Sequence, residues 1–85
     1  MGRITTVNID EYALELYNAY RTRLGLPPRS RILNYLLTSL VDNIRRAIED
    51  NGIRDGDIID IAVEIIITRN NDKKTYRSKT LSIRV

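Results

Sequence analysis

Apolar residues recur along this chain with a period near two, then near 3.6, then near two again, and these changes divide it into elements. Over residues 3–9 (Arg-Ile-Thr-Thr-Val-Asn-Ile), Val7 and Ile9 alternate with Thr6 and Asn8, and the β-branched content favours a short strand. Asp10 is a good helix N-cap, and Glu11 suits the first turn, where the helix dipole favours an acid. Ala13, Leu16, Tyr17, Tyr20 and Leu24 follow at three- and four-residue spacing, which predicts a first helix over 11–24. Gly25 is placed to end it in the left-handed conformation, and Leu26-Pro27-Pro28 breaks the pattern.

A second helix is expected from Pro28, whose missing N–H costs nothing at a first helical position, to the stop signal Asn51-Gly52. Its stripe of Leu33, Leu36, Leu37, Leu40, Val41, Ile44 and Ile48 is broader than packing on one neighbour requires. Residues 58–68 then read as one long strand, with Ile59, Ile61, Val63, Ile65 and Ile67 on one face. Asp60, Glu64 and Thr68 share the other face with Ile58, Ala62 and Ile66. Asn70-Asn71-Asp72 is a turn cluster, and 75–85 a second strand in which Leu81, Ile83 and Val85 alternate with Thr80, Ser82 and Arg84. The expected order is β-α-α-β-β, an α+β fold class.

Composition narrows the picture. A chain of 85 residues has a small core of its own, and with no Cys and no His neither disulfides nor a Cys/His zinc site can reinforce it. Oligomerisation is the remaining way to enlarge the core. The same two absences remove the common nucleophile–base pairs, so no enzyme is expected. Asp55, Asp57 and Asp60 lack EF-hand spacing and are read as flanking a turn; no metal or cofactor is expected. A net charge of +3 and a pI of about 9.5 permit nucleic-acid binding without requiring it. No apolar run is long enough to span a bilayer, and residues 1–5 lead into the alternating segment without a signal-peptide core, so a soluble cytoplasmic protein is the expectation.

The first strand has no partner near it in sequence. Unpaired backbone groups are costly when buried, so it must pair with the C-terminal strands or with its own copy across a two-fold axis. The second arrangement buries Val7 and Ile9 and leaves Thr6 and Asn8 outward on a two-stranded ribbon, a shape that fits the DNA major groove. At this point residues 3–48 resemble the ribbon-helix-helix family of repressors and antitoxins (Arc- and MetJ-like). The resemblance rests on the alternating strand Arg3–Ile9, the Asp10 cap, the amphipathic helix, the Gly25-Leu26 turn and the Leu-rich second helix.

That resemblance implies a homodimer with an intersubunit β-ribbon; it says nothing about residues 53–85, where the alternation alone adds a C-terminal β-hairpin. It implies base reading by Thr6 and Asn8, with Ile4 at the outer position before them, and a phosphate contact from Arg3. A second phosphate site is implied at Arg29, Ser30 and Arg31, where free N–H groups and the helix dipole favour an anion. The dimer core would hold Val7, Ile9, Leu33, Leu36, Leu37, Leu40 and Ile44. Three positions depart from the family pattern: Thr5 is inward where an apolar residue is usual, Ile4 is outward where a polar one is usual, and Pro27 stands at the expected N-cap without a capping side chain. Residues 1–51 are the expected DNA-binding and dimerisation domain, and 52–85 the hairpin extension.

Blander assignments stand beside these. Thr6 and Asn8 are also what a solvated edge strand carries, and Arg29 and Arg31 oppose the helix dipole unless an anion binds there. Tyr12, Tyr17, Tyr20 and Tyr35 are assigned to packing and helix surface rather than base stacking. Lys73, Lys74, Arg77, Lys79 and Arg84 are read first as solvated or edge-protecting charges, with a second DNA contact as the alternative. The hairpin itself is assigned to assembly or partner binding, since an uncovered Ile-rich face is an interaction surface.

The functional expectation is a sequence-specific transcriptional regulator, a repressor, that binds double-stranded DNA as a homodimer and forms higher oligomers through the hairpin. The alternative is an antitoxin whose C-terminal half binds a toxin protein while the same DNA-binding domain autoregulates. A third reading is an architectural dimer without sequence preference, marked by a large salt slope.

Overall fold

The computed structural model describes residues 8–85, and they form a mixed α+β structure with two helices and two small antiparallel sheets. In chain order the elements are α1 (Glu11–Leu24), α2 (Arg29–Glu49), β1 (Ile58–Ile61), β2 (Glu64–Arg69), β3 (Asp72–Arg77) and β4 (Leu81–Arg84). The chain divides into two compact units, one through Arg46 and one from Ala47, whereas the sequence pattern divides it after Asn51. The expected strand over 3–9 falls mostly outside the described residues; Asn8 and Ile9, its last two positions, lead into α1 without strand pairing within the chain.

Local signals set the helix ends. The Asp10 carboxylate accepts the Tyr12 N–H at 3.1 Å, satisfying one of the donors that a helix start leaves free. Gly25 ends α1 in the left-handed region (φ 72°), and its N–H and that of Leu26 both reach the Arg21 carbonyl. Helix α2 begins at Arg29, one residue later than expected. The Pro28 carbonyl accepts from Arg31 and Ile32, so this proline precedes the helix and caps it through its backbone. At the other end Asn51, with φ 55°, takes the left-handed position, and the Gly52 N–H closes on the Ala47 carbonyl at 2.8 Å.

The Ile-rich segment is not one continuous strand. β1 pairs with β4 from Ile58↔Arg84 to Ile61↔Leu81, and β2 pairs with β3 from Glu64↔Arg77 to Arg69↔Asp72. Between these ladders Ala62 and Val63 on one side face Ser78, Lys79 and Thr80 on the other, a bulge of one residue. Ser78 stitches it: its N–H donates to the Val63 carbonyl, and its hydroxyl accepts from the Val63 N–H (2.9 Å) and donates to the Lys79 carbonyl.

The extra residue has a clear effect on the side-chain pattern. Ile59, Ile61, Ile65 and Ile67 keep one alternation along the first side, but on the second Tyr76 occupies an even position and Leu81 and Ile83 odd ones. The bulge shifts the phase, so that Tyr76 opposes Ile65 while Leu81 and Ile83 oppose Ile61 and Ile59. At the tip, Asn70 and Asn71 both have positive φ (49° and 69°), the two-residue turn whose twist matches that of the strands. Asp72, expected in the turn, instead opens β3 opposite Arg69.

None of the described residues is buried. Among the described residues the closely apposed element pairs are β1–β4 and β2–β3, and the stripe of α2 remains open, with Leu37, Val41 and Ile48 at 61%, 56% and 60% exposure. No helix among the described residues is long and apolar enough to cross a membrane.

Candidate nucleic-acid interface

The best-defined cluster of expected site residues is the start of α2. Arg29, Ser30 and Arg31 form its first turn and are exposed, and that turn contains no acid. Among the described residues no backbone carbonyl takes the N–H of Arg29 or Ser30, as the geometry of a helix start requires. Two guanidinium groups, two free N–H donors and the positive end of a helix of 21 residues are therefore gathered in one turn. Such an arrangement is unfavourable by roughly 0.3–1 kcal/mol per cation when empty, and favourable to an anion.

The turn leading into this site is held from α1. The Tyr17 hydroxyl donates to the Pro27 carbonyl at 2.7 Å, a half-buried bond across the inter-helix connection. Together with the left-handed Gly25, it sets where Pro28 lies and hence where α2 starts. An open hollow of about 370 Å³ adjoins the site, lined by Gly25, Pro27, Arg31, Ile32 and Tyr35. Sequence reasoning assigned Tyr17 and Tyr35 to packing only. The i, i+4 spacing of Arg31 and Tyr35, which places both on one helix face, was the available signal for the second of these.

Of the ribbon residues, Arg3, Ile4, Thr6 and Val7 lie outside the described residues. Asn8 is exposed, two residues before the Asp10 cap, and Ile9 is half-buried. Along the expected dimer seam Leu40 and Ile44 are half-buried, while Leu33, Leu36 and Leu37 are exposed. Elsewhere on α2, Asp42 pairs with both Arg45 and Arg46.

The acidic group Asp55, Asp57 and Asp60 serves turn and ladder. The Asp57 carboxylate accepts the Arg54 N–H at 2.9 Å, and Asp60 accepts the Ser82 hydroxyl across β1–β4. Among the described residues no three acidic side chains gather as a metal-ligand set.

No protein-family model, curated protein or solved structure matches this chain.

Proposed function

We propose that this protein is a ribbon-helix-helix homodimer that binds double-stranded DNA sequence-specifically and regulates transcription, as a repressor. The observation that carries the reading is α2 itself. Its apolar stripe is left open in a chain without a buried described residue, and its first turn is basic and free of acid. A second copy laid on that stripe supplies the core that one chain lacks, and two-fold symmetry presents two anion-binding helix starts to one duplex. Thr6 and Asn8 then read bases from the ribbon, with Ile4 beside them, and Arg3 joins Arg29, Ser30 and Arg31 on phosphates. The C-terminal strands act as one bulged hairpin whose in-phase apolar face extends the assembly.

Selection from a random duplex pool, followed by titration across a salt series, tests this. A roughly palindromic site is the expected product, and binding that is equal for all duplexes points instead to an architectural dimer. The antitoxin alternative is separated by limited proteolysis of the free protein. Paired strands over 58–84 predict a resistant C-terminal half, whereas an antitoxin tail that orders only on its toxin is cut rapidly.

A further inference from the structure

The positive charge of the second unit is concentrated in the sequence that follows β1. Glu49, Asp50, Asp55, Asp57 and Asp60 precede β2 with only Arg54 among them, while residues 62–85 hold six Lys or Arg against two acids. Both of those acids are matched within the ladder: Glu64 lies 3.7 Å from Arg77, and Asp72 is in register with Arg69. Lys73, Lys74 and Lys79 have no ion pair among the described residues. Lys74 lies over the Tyr76 ring, 5.7 Å from its centroid.

The pleat sends Lys73 and Lys74 to opposite faces of β3, directly behind the Asn70-Asn71 turn. The tip is therefore a narrow ribbon led by two exposed amide side chains and flanked on both faces by cations. An open hollow of about 470 Å³ beside Arg69, Asn70, Lys73 and Lys74 leaves this end accessible. Sheets stack about 10 Å apart, so a two-stranded ribbon with its side chains is about that thick, and the major groove is about 12 Å wide.

From this placement we infer that the β2–β3 tip is a second DNA-contacting element, entering a major groove with Lys73 and Lys74 toward opposite phosphate rows and Lys79 toward the flanking backbone. The inference rests on the DNA-binding reading above and adds a second point of attachment to it. Its ligand is the phosphodiester backbone of a duplex, and the Asn70 and Asn71 amides are available to base edges.

The test compares full-length protein with a Lys73→Gln, Lys74→Gln, Lys79→Gln variant on duplex DNA over a salt series. All three lysines are exposed, so helix content and oligomer mass should not change. The expected result is an affinity loss of about tenfold or more at low salt for every duplex sequence alike. The slope of log K against log salt should flatten by about 0.9 for each lysine that meets a phosphate, and the corresponding Arg triple variant should restore both quantities. Wild-type protein that binds, with the Gln variant unchanged in affinity and slope, overturns this inference alone. Losses seen only with single-stranded RNA or with a protein ligand overturn it too. Wild-type protein that binds no duplex at low salt removes the underlying reading, and this one with it.

Discussion

Single residues define the local geometry of the α1–α2 connection. Gly25 has φ of 72° and open space where a Cβ would stand, so Gly25→Ala meets no clash and its cost is backbone strain alone, about 1 kcal/mol by thermal or urea denaturation. Tyr17→Phe removes the only hydroxyl bonded to the Pro27 carbonyl among the described residues; a loss of about 0.5–1.5 kcal/mol is expected. Because that bond orients the start of α2, weaker DNA binding should accompany it, whereas a purely structural tyrosine would change stability alone. The Asp10 and Gly25 signals were legible in the sequence because a cap is a matter of three or four neighbouring residues. The Tyr17–Pro27 bond joins positions 10 apart across a turn, and no periodicity announces it. At the ribbon, the pattern of Thr6 and Asn8 supplies the reading, and the structure describes only Asn8.

At the scale of elements, hydrophobic period identified α1 to the residue and α2 to within a residue or two of each end, because both helices are bounded by strong stop signals. It read the C-terminal strands as two continuous segments and missed the bulge. A bulge is a property of a pair, visible only once Ala62-Val63 is set against Ser78-Lys79-Thr80. A trace of it was nevertheless present in the chain: the apolar residues of the second side change from even to odd numbering between Tyr76 and Leu81. Deleting Lys79 sets two residues against two, a continuous ladder in which Leu81 and Ile83 still oppose Ile61 and Ile59. The expected outcome is a regular hairpin, with amide-exchange protection of both β1–β4 and β2–β3 retained; loss of β1–β4 protection would show that the bulge itself is needed. Ser78→Ala keeps the residue count and removes only the hydroxyl bridge, so a loss of about 1 kcal/mol is expected.

For the whole molecule, none of the described residues is buried, and on the proposed dimer reading self-association supplies the stability. Folding and dimerisation should then be one transition, with a melting temperature that falls by a few degrees for each tenfold dilution, since tenfold in concentration is about 1.4 kcal/mol. Leu40→Asp places an unpaired charge in the proposed seam and should abolish both the dimer and the helical circular-dichroism signal at micromolar concentration. A folded monomer from that variant would show that the α2 stripe is covered in some other way.

Whether the protein reads DNA as proposed is decided most directly by the affinity of wild type, Asn8→Ala and Arg29→Ala for a selected duplex and a random one across a salt series. Asn8→Ala should lower the preference for the selected duplex by about 1–3 kcal/mol for each bidentate Asn–base pairing that the alanine removes. Arg29→Ala should weaken both duplexes equally and flatten the salt slope. Wild-type protein that binds neither duplex at low salt would contradict the DNA-binding reading and turn attention to a protein ligand for the C-terminal strands.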